Sequence, residues 1–152
     1  MNFSELNICV QRAIDTLYAR DHKLFELNET EWALSHRLAV YLEQEIPGWN
    51  VDCEYHRQGQ NFDLKMNAQT DGPTHNTRPD IILHHRGELS REHNLLVAEL
   101  KKAAETDDDK TKEFTRPPTV ERKFQYQYGL ALTFLPQLNA RWYENGRKID
   151  IQ

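Results

Sequence analysis

The order of hydrophobic patterns along this chain predicts an α/β domain, a mixed central sheet flanked by helices. Three observations carry that prediction. Apolar residues recur every three or four positions through residues 4–20 and 28–45, the mark of amphipathic helices. Apolar and polar residues alternate from Phe124 to Phe134, which is a strand signal. Two short apolar runs, Asp80–Leu83 and Leu95–Leu100, are joined by a segment rich in turn-forming residues and read as a hairpin. Helices and strands mixed in this order call for a layered architecture.

In chain order, Leu6, Val10, Ile14, Leu17 and Tyr18 form the stripe of the first helix, which Asp21-His22-Lys23 interrupts. A second helix runs from near Asn28 to about Glu45, with Leu34, Leu38, Tyr41 and Leu42 on one stripe, and Pro47-Gly48 stops it. Trp49, Val51, Cys53 and Tyr55 alternate with polar residues and predict a strand; Arg57–Asn61 fits a turn. Phe62, Leu64, Met66 and Ala68 form a weaker strand pairing back on the first, and 69–78, without a large apolar residue, reads as a surface loop. After the hairpin, Glu105–Phe114 suits a short helix ended by Pro117-Pro118. The long strand ends at Pro136, and Asn145-Gly146 sets a tight turn between Ala140–Glu144 and Arg147–Ile151. Without an internal repeat or a break in composition, residues 1–152 read as one domain.

Apolar residues make up 38% and charged residues 28% of the 152, proportions that suit a soluble globular protein. No apolar run approaches the roughly 18 residues of a membrane helix. The N-terminal residues have no targeting pattern, so a cytoplasmic location is expected. Cys9 and Cys53 stand too far apart in sequence for a zinc knuckle or a CxxC pair, and both are expected as small buried hydrophobes. A net charge of −5 argues against a protein that coats nucleic acid through a basic excess. It is compatible with an enzyme that grips a short stretch locally. Lys110, Lys112, Arg116, Arg122 and Lys123 outnumber the acids of 110–123 and form the best stretch for phosphate contact, with a plain solvated face as the alternative.

The chemistry concentrates elsewhere. Pro79-Asp80 opens the first run of the hairpin, and Glu99-Leu100-Lys101 closes the second. If the two runs pair, Asp80 and Glu99 fall at the same end of the sheet, and alternation sends Glu99 and Lys101 to one face. Neighbouring carboxylates resist joint ionisation. A hard divalent cation relieves that repulsion, since Mg²⁺ favours one or two carboxylates plus waters and phosphate oxygens.

These residues resemble the PD-(D/E)xK nuclease superfamily, the restriction-endonuclease-like fold. The resemblance implies that Asp80 and Glu99 bind a catalytic Mg²⁺ or Mn²⁺ and that Lys101 assists the attacking water. An upstream helical glutamate often joins the metal in that family, and Glu31 holds the matching place. The family order of helix, three strands, helix and strand is similar to residues 29–134; the first helix, the weak strand at 62–68 and the terminal hairpin would be additions. A metal-dependent nuclease acting on DNA is therefore the expected function. A catalytically degenerate relative serving as a nucleic-acid or protein binding module is the alternative, and an unrelated α/β domain with a surface ion pair is a third reading. A homodimer or a partner protein is left open.

Several residues have competing readings. Asn28-Glu29-Thr30-Glu31 has capping-box spacing, so Glu31 is either a metal ligand or a capping partner of Asn28. Lys102 is expected on the opposite, solvated side of the strand from Lys101. His84 and His85 read as surface residues with a metal or phosphate contact as the rival. Asp63-Leu64-Lys65 imitates the motif without a Pro-Asp at hairpin spacing. Gln125 and Gln127 either reach the site or lie on a covered face.

Overall fold

The computed structural model describes residues 1–27, 29–55, 57–58, 63–64, 79–103, 108–118 and 125–150. The N-terminal helix α1 spans Phe3–Asp21 and begins with a capping box: Glu5 N donates to Asn2 Oδ1 and Asn2 N to Glu5 Oε2. A single turn, α2 (Lys23–Glu26), leads to α3 (Glu31–Glu45). Thr30 caps α3, accepting from Ala33 N at 3.3 Å. This corrects the expected cap: Glu31 is the first helical residue, not the third, and Asn28 lies outside the described residues.

Six strands form the main sheet: β1 (Asn50–Cys53), β4 (Ile81–His84), β5 (Asn94–Lys101), β6 (Tyr128–Thr133), β7 (Asn139–Glu144) and β8 (Arg147–Ile149), in that spatial order. Two short segments, β2 (Arg57–Gln58) and β3 (Asp63–Leu64), pair only with each other. Of the weak strand expected at 62–68 only Asp63–Leu64 is described, and it pairs with Arg57–Gln58 and not with β1. The partner of β1 is β4, antiparallel, with Val51 opposite Leu83. Antiparallel β4–β5 is the expected hairpin, with a short 3-10 turn at Arg91–His93 in its connection. Among the described strands only β5–β6 is a parallel pair, and the crossover between them carries helix α4 (Asp108–Thr115). The closing β7–β8 hairpin turns at Asn145-Gly146, both with positive φ (49° and 74°), as a tight primed turn requires.

The sheet separates two cores. On one face α1 and α3 bury Leu6, Ile14, Leu34 and Leu38 against Leu83, Leu96, Leu100 and Leu132. On the other, Phe114 of α4 packs with Ile82, Val97 and Tyr126. With both faces covered, β4 is buried at every position and reads as a continuous apolar run. The long period-two strand is shorter than its pattern. Tyr126 N donates to Phe114 O and Gln127 N to Asn94 O, so ladder pairing starts only at Tyr128. Tyr126 consequently joins the α4 layer, whereas Tyr128, Leu130, Leu132 and Phe134 face α1 and α3. The loop at 69–78 lies outside the described residues. Among the described residues, no helix is long and apolar enough to cross a membrane.

A candidate active site at the end of the central hairpin

Four of the sequence-predicted residues converge where β4 begins and β5 ends. Ile81 is paired with Ala98, so the next step of the register sets Asp80 beside Glu99. Asp80 is held there from both sides: Leu100 N donates to its Oδ2 at 2.7 Å, and Glu54 N donates to its carbonyl at 3.2 Å. Burial raises the Asp80 carboxyl above the usual carboxylate range; the Leu100 amide, Lys110 and Lys101 only partly oppose this, and the charge on Glu31 adds to it.

Glu99 and Lys101 share the strand face that looks toward α4. Glu99 is buried and accepts from Lys110 Nζ of α4 at 2.7 Å. Lys101 Nζ donates to Glu31 Oε2 at 2.8 Å. That bond, with the charges of Asp80 and Glu99, raises the Lys101 ammonium above its ordinary value. The second oxygen of Glu31 accepts from Lys102 N at 3.2 Å, so the first residue of α3 clasps the end of β5. The two ion pairs differ in kind. Both side chains of Lys101–Glu31 are 42% exposed, which leaves the pair screened by solvent, whereas Lys110–Glu99 is largely enclosed at 18% and 9%.

Beside this cluster opens a pocket of about 400 Å³ lined by Thr30, Glu31, Trp32, Ser35, Glu54 and Asp80. Glu54 sits at φ 49°, a left-handed conformation uncommon for residues other than glycine. Trp32 is 60% exposed despite its size. Glu31, Asp80 and Glu99 offer hard oxygen donors of the kind Mg²⁺ or Mn²⁺ takes, and a cation would relieve the penalty on Asp80. In the present arrangement lysine ammoniums occupy Glu31 Oε2 and Glu99 Oε2, and among the described residues no three His, Cys, Asp or Glu side chains are grouped to hold an ion. The donor chemistry fits the metal.

Two further expectations are corrected. Lys102 is buried, not solvated, with Nζ donating to Glu29 O at 3.0 Å, because the chain leaves the strand at Lys101 and alternation stops. His84 is buried with Nε2 2.8 Å from Asp52 Oδ2. Burial pushes the Asp52 carboxyl up, but the bonds from His84 and Arg86 outweigh it and hold the group well below its usual range. Gln125 Nε2 donates to Thr115 O and Asn145 Oδ1, and Gln127 Nε2 to Glu92 O, so both serve the scaffold. In the basic stretch Lys110 turns inward to Glu99, Lys112 pairs with Asp109 and Arg116 with Glu113; Arg122 and Lys123 lie outside the described residues, as do the side chains of Asp63 and Lys65. Cys9 and Cys53 are half-buried, and burial together with Asp52, Asp80 and Glu54 pushes the Cys53 thiol up to about 11, which disfavours the thiolate.

Sequence reasoning missed Lys110, Trp32 and Glu54 as neighbours of the site. Lys110 was visible only as one cation of a basic stretch. Trp32 directly follows Glu31 and falls outside the apolar stripe of its helix, a signal that it faces solvent. Comparison with family models, curated proteins and solved structures finds no match. The protein has a mixed α/β fold with a six-stranded sheet flanked by helices and a carboxylate–lysine cluster at one end.

Proposed function

We propose that this chain is a metal-dependent nuclease of the PD-(D/E)xK type, hydrolysing phosphodiester bonds with DNA as its substrate class. The observation that carries the reading is the meeting of Asp80, Glu99, Lys101 and Glu31 at one end of two adjacent strands. The order of α3, β1, β4, β5, α4 and β6 along the chain is similar to the restriction-endonuclease-like order and supports the same reading.

Asp80 and Glu99, with Glu31, would hold Mg²⁺ or Mn²⁺. When bound, such an ion neutralises charge on the phosphate and acidifies its water ligand. The chain's own residues supply the rest. The Leu100 amide fixes the orientation of Asp80, and Lys110 fixes that of Glu99. Lys101, kept protonated by its acidic surroundings, positions the attacking water and faces charge that grows in the transition state. Glu31 orients Lys101. The open pocket beside Asp80 gives an extended strand room to approach.

One observation favours a second reading, a degenerate binding module: the ammoniums of Lys101 and Lys110 already compensate Glu31 and Glu99 without an ion. A cleavage assay on single- and double-stranded DNA and RNA, with Mg²⁺ or Mn²⁺ and with chelator, separates the two. The nuclease reading requires metal-dependent cleavage that Glu99→Ala abolishes. Binding without cleavage would favour the module, and neither binding nor cleavage would sink both the nuclease and a nucleic-acid-binding module.

A further inference from the structure

We infer that His85 and His93 form a second metal site, for a borderline divalent ion of the zinc, copper or nickel kind. It lies at the opposite end of the central hairpin from the carboxylates. Asp80 stands just before β4 and His85 just after it, so the two sites are separated by about 16 Å at the ordinary rise of a strand.

The geometry of His85 is that of a ligand already set in place. Its Nε2 lies 3.1 Å from Gly48 O. A carbonyl oxygen only accepts, so that nitrogen carries the ring hydrogen and Nδ1 of the neutral ring presents its lone pair. Metal-ligating histidines are oriented in this way, with the remote N–H on a carbonyl or carboxylate. Trp49 stacks on the ring with centroids 4.2 Å apart and planes 10° apart, which fixes the direction of the lone pair. That lone pair points at His93 Nδ1, only 2.8 Å away. The backbone supports the approach, since His85 N donates to His93 O at 2.8 Å.

Without metal, His93 Nδ1–H donates to His85 Nδ1. For an ion to bind, the His93 proton moves to its Nε2 through solvent, and both Nδ1 lone pairs turn to the ion. Tetrahedral Zn–N bonds set the two nitrogens about 3.3 Å apart, so the pair opens by about half an ångström while the His93 ring swings off the line between the two nitrogens to face the ion. Two imidazoles select zinc, copper or nickel over Mg²⁺. Among the described residues no third His, Cys, Asp or Glu completes the set, so water or an incoming group takes the remaining positions. The ion would clip the two ends of the β4–β5 connection together, beside the loop before β1.

Calorimetric titration with Zn²⁺ tests this, run in excess Mg²⁺ so that hard-ion binding at the carboxylates does not contribute. The expected result is one zinc per chain, weakened by at least about tenfold in His85→Ala and in His93→Ala and unchanged in Glu99→Ala. Long-range ¹H–¹⁵N spectra of the wild type give a reading independent of any variant's folding: zinc should shift Nδ1 of both rings as coordinating nitrogens. No zinc binding, equal affinity in wild type and His93→Ala, or Nδ1 signals that ignore zinc would each overturn the site and leave a histidine pair sharing a proton.

Discussion

Lys101 stands between two demands, the charge of Glu31 at rest and the proposed chemistry in action. Its pair with Glu31 is partly exposed, and such pairs contribute about 0–1 kcal/mol. Lys101→Met should therefore fold with nearly wild-type stability in urea titration. Cleavage should fall by about 10²–10³-fold, the scale of losing one donor aimed at developing charge, while Mn²⁺ binding persists or tightens. Cleavage at the wild-type rate would remove Lys101 from the chemistry. Asp80 gives the opposite signature. Its carboxyl is raised in the folded state by burial, so the folded protein holds that proton more tightly than the unfolded chain. Its charge costs stability at neutral pH, and the cost is relieved as pH falls through the folded carboxyl's range. Asp80→Asn should melt above wild type at pH 7, the gap closing on acidification, while losing metal-dependent cleavage. A variant that melts lower at every pH would show that Asp80 is structural. Asp80, Glu99 and Lys101 were legible because strand alternation and hairpin pairing are local rules. Lys110 was not, because its contact with Glu99 depends on how a crossover helix settles on the sheet. Lys102 was misread because alternation was extended one residue past the end of the strand.

At the scale of elements, α4 lies close against the sheet at Gly129. A Cβ there would stand 2.8 Å from Thr111 Cγ2 and 2.9 Å from Thr115 Cγ2, with the Thr111 carbonyl at 3.1 Å. Gly129→Ala should cost about 1–3 kcal/mol, the usual penalty of overpacking, seen as a lower urea midpoint with an unchanged slope. Because α4 carries Lys110, the displaced helix should also loosen its grip on Glu99. A neutral result would mean that α4 is less firmly seated than these distances imply. The start of α4 is tied separately to β7, where Asp108 accepts from Arg141 and from Tyr143, whose hydroxyl is pushed up to about 12, chiefly by burial and by that hydrogen bond. Helices α1 and α3, the β4–β5 hairpin and the Asn145-Gly146 turn were readable from sequence because their periods and turn residues are intrinsic to each segment. The true start of β6 was not. Tyr126 continues the alternation of side chains, but its amide is taken by the end of α4, a tertiary bond that no local pattern announces. The capping of α3 was equally ambiguous, since Asn28 and Thr30 are both competent caps and only the path of the backbone selects Thr30.

For the whole molecule, the sheet is deepest at its middle. Strands β4, β5 and β6 lie between two cores, while β1 and β8 are edges, the latter three residues long with Arg147 and Lys148 exposed. Short, charged edges resist pairing with other chains. Hydrogen exchange should rank accordingly: amides of β5 such as Val97 and Ala98 should exchange only through global unfolding, and those of β8 through local opening. Equal protection across the sheet would contradict this ranking. The single parallel pairing, β5 with β6, has a consequence of its own. Every other neighbour in the sheet is antiparallel, and the parallel seam alone needs the long crossover through α4. A chain severed between β5 and α4 would divide into one fragment with Glu31, Asp80, Glu99 and Lys101 and another with Lys110 and three strands. Each fragment would carry a raw apolar edge that only the other can cover. The seam is thus a natural place to divide the protein into two inert halves whose reassociation restores Lys110 to Glu99, making recovered cleavage a reporter of their meeting.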